Sequence, residues 1–343
     1  MDINYIIFLL IFFISTLIIF RKFQILKENI SYSEHKSLGK TNKSPILIGG
    51  FFIISVIITS SLNNFIFFKV ASILIFLVGI LSDKNILHNP KLRLFFQISV
   101  IFFLVYFEKL NINGVSLNFI DYLLGYEYFN YFFTIFCFAV LVNGSNFIDG
   151  LNGLLSGYII LILISIFIIL NNYISIDTEL NQLVNILIIA SIIFYIFNIF
   201  GIVYLGDSGS YLLSFSIGFI LIKMHQETIL ISPYYIATVL WYPAFENLFS
   251  LIRRFLNKSY ISSADKLHLH QLIFRYFRSK NLINKKWVNT LSGFTIVLVN
   301  LPSIYIATKY YYHSIYLIST IIFNLIFYLS IYYSLFKNFR SKK

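Results

Sequence analysis

Apolar runs rich in Phe, Ile, Leu and Val recur along this chain near residues 4–20, 46–60, 65–81, 94–106, 129–142, 151–170, 183–199, 210–223, 229–251, 288–308 and 314–336. Helices of that length and character cross a bilayer, and a water-soluble core has no room for about eleven of them. With 58% of residues hydrophobic and only 12% charged, the chain reads as an all-α polytopic membrane bundle of about 11 transmembrane helices. The first run has no positive charge before it and no small-residue cleavage site, so a retained span is expected there. Cys137 is the single cysteine. That excludes an intramolecular disulfide and a cysteine-based metal site.

The basic residues give the orientation. All Lys and Arg except Lys69, Lys109, Lys223 and Lys309 fall in segments 21–45, 82–93, 252–287 and 337–343. The positive-inside rule makes those segments cytoplasmic, which puts the N-terminus outside and the C-terminus inside. The opposite loops carry Glu108, Asp121, Glu127, Asp177 and Glu179. The net charge of +12 is thus a topology signal, and nucleic acid is not an expected partner.

Between the apolar runs lie polar breaks, of which 143–157, Asn-Gly-Ser-Asn-Phe-Ile-Asp-Gly-Leu-Asn-Gly-Leu-Leu-Ser-Gly, is the richest. If helical, it aligns Asn143, Asn146, Gly150, Gly153 and Gly157 on one narrow stripe with Asp149 near its edge. Asn-Gly and Asp-Gly are equally turn signals, and glycine stripes also serve tight packing. Asp83 ends the third run, where the helix dipole disfavours a carboxylate; it is either solvated or held by a cation. Gly206-Asp207-Ser208-Gly209-Ser210 offers amides, hydroxyls and a carboxylate at a helix start, a place for an anion or for a metal that neutralises one. Pro45 suits a helix start, and Gly49-Gly50 permits close packing. Glu246 lies near the inner part of the ninth run, where an ionisable group needs a polar cavity or a partner. Arg253 and Arg254 follow. His268 and His270 stand in the long inner segment 252–287, suited to metal or to phosphate. Charge bias alone places Asp83, Asp149, Asp207 and the histidines on one face, as expected of a site at the cytoplasmic mouth of a bundle.

Taken in order, Gly49-Gly50, Asp83, the 143–157 block, Gly206 to Ser210, and Arg253-Arg254 to His270 resemble the polyprenyl-phosphate N-acetylhexosamine-1-phosphate transferases of glycosyltransferase family 4. The resemblance implies one integral-membrane domain over 1–343, with loop 252–287 contributing to a cytoplasmic active site. It also implies transfer of a sugar-1-phosphate from a UDP-N-acetylhexosamine to undecaprenyl phosphate, with release of UMP and a need for Mg²⁺ or Mn²⁺. By the same resemblance Asp83, Asp149 and Asp207 are catalytic, Asp207 and Asp149 bind metal, and Asn143, Asn146, Arg253, Arg254, His268 and His270 bind substrate. Asp83 would be a base or a nucleophile. The implied setting is a bacterial inner membrane and cell-envelope polysaccharide synthesis, with membrane lipid as a partner and a homodimer left open.

The chain departs from the family pattern at Ser82, where a second acid is frequent, and at Asn152, where an Asp is. Ile202 stands in a basic position, Glu246 replaces an Asp, and Gln271 ends a run that is often histidine. The alternatives are the phospho-MurNAc-pentapeptide transferase of peptidoglycan synthesis and, from another class, a secondary transporter. The first usually carries three adjacent histidines where this chain has His-Leu-His; the second places its polar groups near the bilayer midplane in related halves.

Overall fold

The computed structural model describes residues 3–26, 45–172, 178–228, 230–256, 267–280 and 284–340. Lys27, Lys36, Lys40, Lys43, Asp177, Lys258, Lys266 and parts of loop 252–287, all used above to read topology or site, lie outside the described residues. The helices in order are α1 (Ile3–Lys22), α2 (Gly49–Thr59), α3 (Ile66–Asp83), α4 (Pro90–Phe107), α5 (Asn118–Leu124), α6 (Glu127–Ile148) and α7 (Leu154–Asn172), then α8 (Thr178–Ile199), α9 (Gly206–Glu227), α10 (Pro233–Val239), α11 (Trp241–Leu256), α12 (Leu269–Lys280), α13 (Val288–Lys309) and α14 (Ser314–Arg340). Among the described residues, eight of these are long and apolar enough to cross a membrane. Their outward faces carry large apolar side chains such as Ile18, Phe102 and Phe323, as a lipid surround requires.

Each of the eleven apolar runs is helical, but three differ from a simple span. The run at 46–60 contains only the 11 residues of α2, about 16 Å of helix against a hydrocarbon core of roughly 30 Å. Before it, Ile46 and Leu47 form strand β1 and pair in parallel with Val203 and Tyr204 of strand β2, a contact that no residue pattern signals. The run at 229–251 is broken into α10 and α11. Pro243 lacks the N–H that would meet the carbonyl of Val239. The hydroxyl of Tyr158 on α7 donates to that carbonyl instead, at 2.8 Å.

The third case, α9, is the centre of the molecule: every residue from Gly206 to Ile222 is buried. A helix enclosed on all sides is expected to lack an amphipathic stripe, and its Gly and Ser residues let α2, α3 and α6 approach. A Cβ on Gly50 of α2 would lie 2.6 Å from Ser208 Oγ and 2.8 Å from the Gly209 nitrogen. Phe68 of α3 stacks on Phe219 near the far end of α9 at 4.4 Å between centroids, while Asp83 meets the near end, so α3 and α9 run antiparallel.

Candidate active site

The stretch 143–157 is both of the things its sequence permits. Helix α6 carries Asn143 and Asn146 and ends at Ile148; residues 149–153 form a break, and α7 begins at Leu154. The continuous helical stripe through Gly150 and Gly153 therefore does not form. Gly153 has φ of +75°, a left-handed conformation that stops the helix. Asn198 of α8 fastens this break: its Oδ1 accepts from the Gly153 nitrogen at 2.7 Å, and its Nδ2 donates to the Val203 carbonyl at 2.8 Å.

Asp83 is held by a helix rather than by solvent. Its Oδ1 accepts from the Asp207 nitrogen at 2.7 Å, and its Oδ2 accepts from the Ser208 nitrogen at 3.1 Å and hydroxyl at 2.7 Å. The carboxylate at the end of α3 thus sits on the positive N-terminus of α9, where the dipole favours it and amides lack intrahelical partners. Gly206 makes the approach possible. Its φ is +72°, and a Cβ there would lie 2.7 Å from Asp83 Oδ2.

Asp207, in the first turn of α9 and buried, faces the other way. Its Oδ2 accepts from Ser82 Oγ at 2.5 Å, from Arg93 Nη1 at 3.4 Å and from the Tyr211 hydroxyl at 3.5 Å. Arg93 also donates to Ser82 Oγ at 3.1 Å. Ser82, a departure when seen in sequence, links the acid to the arginine here. Asn146 donates to the Tyr211 hydroxyl at 3.4 Å and accepts from Ser210 Oγ at 3.1 Å; Asn143 donates to Gln97 Oε1 at 3.2 Å.

Asp149 lines a cleft with Gly150, Asn152, Tyr204 and Gly206. Because Gly206 also abuts Asp83, this cleft joins the 149–152 break to the α3–α9 contact. On the far side of Asp149, a Cβ on Gly150 would lie 2.7 Å from His270 Nε2. The rings of Phe147, His268 and His270 stack in sequence, with centroids 5.7 and 5.4 Å apart. His268 Nδ1 is 2.9 Å from Glu246 Oε1. Asp83, Asp207, Asp149, His270 and His268 therefore follow one another through near neighbours at one end of the bundle. Asn152 turns its backbone nitrogen to Asn289 Oδ1 at 2.7 Å.

Arg253 and Arg254 occupy a different setting. Arg253 Nη1 donates to the Leu267 carbonyl at 3.0 Å and to the Tyr332 hydroxyl at 2.8 Å, and its guanidinium lies over the Phe249 and Tyr332 rings. It braces α11 against α14 and against the approach to His268. Arg254 is buried in α11.

Arg93 and Gln97 are the residues that sequence reasoning missed at this site, having been taken as a topology charge and passed over. The signal was present: Asn89 caps α4, accepting from the Lys91 nitrogen at 3.0 Å, and Pro90 begins it. Four residues apart, Arg93 and Gln97 share one face of an otherwise apolar helix. Gln97 is fully buried, and its Nε2 has no partner among the described residues.

Among the described residues no group of three His, Cys, Asp or Glu side chains is arranged to hold a metal ion. Magnesium rarely asks for such a cage; one or two carboxylates with substrate phosphates suffice. Asp207, an oxygen donor flanked by the hydroxyls of Ser82 and Tyr211, fits a site of that kind.

Residues 65–225 match the family model described as glycosyl transferase family 4. The resemblance drawn from the motifs is borne out over that span, which carries Asp83, Asn143, Asn146, Asp149 and Asp207, whereas His268 and His270 lie beyond it. The chain is 29% identical over 210 residues to the probable undecaprenyl-phosphate N-acetylglucosaminyl 1-phosphate transferase of Bacillus subtilis (strain 168), covering 60% of this chain and 57% of the relative. It is 31% identical over 215 residues to the undecaprenyl-phosphate alpha-N-acetylglucosaminyl 1-phosphate transferase of Escherichia coli (strain K12), covering 60% and 56%. The chain thus spans a little over half the length of these curated relatives.

Proposed function

Taking the chain as a glycosyl transferase family 4 relative across residues 65–225, we propose that it transfers an N-acetylhexosamine-1-phosphate from a UDP-sugar to undecaprenyl phosphate. The observation that carries this reading is the gathering of Asp83, Asp149 and Asp207 from three separate helix breaks around one cleft and one helix N-terminus. In the reaction, an oxygen of the lipid phosphate attacks the phosphorus that bears the sugar. The bond from that phosphorus to the oxygen bridging it to the nucleoside phosphate breaks, and UMP leaves with the electron pair. A phosphate monoester has its second pKa near 6, so the attacking oxygen is already ionised at neutral pH and needs little help from a base. What the reaction needs is charge balance between two anions and their alignment.

The residues divide those tasks. Asp207, with Asp149 as the second candidate carboxylate, would hold Mg²⁺ or Mn²⁺ together with substrate phosphates. Bound there, such an ion neutralises the diphosphate and improves the leaving group. Arg93 adds a fixed cation beside Asp207 for a phosphate oxygen. Asp83, whose two oxygens are occupied by α9, positions Asp207 rather than attacking. Asn143, Asn146, His268 and His270 line the approach as substrate contacts, with Arg253 holding the Leu267 carbonyl just before the histidines. An N-acetylhexosamine donor is favoured over a muramoyl-pentapeptide because the relatives are named as N-acetylglucosaminyl 1-phosphate transferases. The apolar runs support eleven crossings, α10 and α11 forming a broken one, and charge bias supports an N-terminus outside and a site on the cytoplasmic face of a bacterial inner membrane.

Detergent-purified protein given undecaprenyl phosphate and a panel of UDP-sugars should release UMP with one donor, and only when Mg²⁺ or Mn²⁺ is present. Folded protein that releases UMP with no donor in the panel sinks the reading.

A further inference from the structure

Glu246 is the most enclosed carboxylate among the described residues, fully buried in α11. It is reached by three donors from two parts of the chain. Oε1 accepts from His268 Nδ1 at 2.9 Å and from the backbone nitrogen of Leu269 at 3.2 Å; Oε2 accepts from the Tyr328 hydroxyl at 2.8 Å. Leu269 is the first residue of α12, so the same oxygen holds the imidazole and the N-terminus of the helix that carries His270. The buried Tyr328 comes from α14, about sixty residues further along the chain.

We infer that Glu246, anchored by Tyr328, is the positioning residue that fixes the tautomer and ring plane of His268 for the transfer reaction. A carboxylate offers only acceptors to this contact, so His268 Nδ1 carries the hydrogen. Nε2 is then the ring nitrogen that would meet the substrate, as an acceptor toward a sugar hydroxyl when the ring is neutral and as a donor toward a phosphate oxygen only once it is protonated. A ring fixed on one nitrogen by a buried acceptor presents the other in a defined state. Phe147 and His270 cover its faces at interplanar angles of 25° and 12°, which removes rotation of the ring as well as its tautomeric freedom. Phe147 stands two residues before Asp149, and His270 abuts Gly150, so the fixed ring stands behind the 149–150 segment that lines the cleft. Glu246 acts through His268 and touches no substrate. The inference rests on the transferase reading above.

The test uses full-length protein in detergent with ¹⁵N-labelled histidine, and assigns His268 by loss of its signals in His268→Asn. Wild type should show His268 protonated at Nδ1. In Glu246→Ala that signature should give way to a mixture of tautomers, and kcat should fall by on the order of tenfold or more with a smaller change in KM. Glu246→Gln keeps an acceptor of the same length; it should retain the Nδ1 signature and recover most of the turnover. Tyr328→Phe should fall between them. Glu246→Ala with wild-type His268 signals, or with altered signals and unchanged kcat, overturns the inference. So does a Glu246→Gln protein that keeps the Nδ1 signature but turns over as poorly as Glu246→Ala. If Glu246→Ala fails to fold, Glu246→Gln and Tyr328→Phe still decide. Wild-type protein without turnover on any donor would sink the transferase reading, whereas wild-type spectra lacking the Nδ1 signature would sink the role of Glu246 independently.

Discussion

Asp83 and Asp207 are both acids at helix ends, yet their surroundings assign them different work. Asp207→Asn removes the charge beside Arg93 without removing bulk, and turnover should drop by roughly 10²- to 10³-fold, with the melting temperature close to wild type. Normal UMP release by that variant would remove Asp207 from the metal site. Asp83→Asn keeps one acceptor for the Asp207 nitrogen but turns an amide donor toward Ser208. That loss of a cap should cost about 0.5–2 kcal/mol of stability and leave turnover well above that of Asp207→Asn. Equal loss in both variants, in an assay matched for folded protein, would favour a base or nucleophile at Asp83 over the positioning role. The three acids were legible in the sequence because a charge beside an apolar run is conspicuous. What holds Asp83 was not, since two of its partners are the backbone amides of Asp207 and Ser208, which leave no mark in residue type, and these and the Ser208 hydroxyl lie more than a hundred residues away. Ser82 misled for the same reason: its value comes from Asp207 and Arg93, neither of which is adjacent in sequence.

At the level of elements, apolar periodicity located the helices well, and it failed where tertiary contacts set the boundary. Nothing in the run 229–251 says which residue replaces the hydrogen bond that Pro243 cannot make. Tyr158→Phe leaves the Val239 carbonyl without its donor while keeping the ring; a loss of about 1 kcal/mol in thermal or denaturant unfolding is expected, and an unchanged midpoint would mean the carbonyl is satisfied otherwise. The buried α9 is a second case. Its glycines and serines lower its hydropathy for a bilayer-crossing helix, yet they permit close packing by α2 and α3. A Cβ on Gly79 of α3 would collide with the backbone of Ser208. Gly79→Ala should therefore destabilise by about 1–3 kcal/mol and displace Asp207, lowering turnover beyond what stability accounts for. Turnover equal to wild type in that variant would show that α3 and α9 part without disturbing the site.

Across the whole molecule, the polar groups separate to two ends. Asp83, Arg93, Asp207, His268 and His270 gather at one. At the other, Glu108 accepts from the Phe68 nitrogen at 3.2 Å and lies 3.9 Å from Lys223. The bias of Lys and Arg in the sequence foretold this separation without naming a single contact. It follows that Lys84→Cys and Lys109→Cys, each in a Cys137→Ser background, should react with a membrane-impermeant maleimide from opposite faces, Lys84→Cys from the cytoplasmic one. Labelling of both from the same face would overturn the orientation. The central claim is more specific, that one phosphorus moves with its sugar while the other stays with the nucleoside. The measurement that reaches it most directly uses a UDP-N-acetylhexosamine labelled at the phosphate that bears the sugar, with undecaprenyl phosphate, Mg²⁺ and purified protein. The label should enter the lipid fraction together with the sugar while unlabelled UMP accumulates in equal amount; label recovered in UDP, with sugar alone on the lipid, would contradict the account.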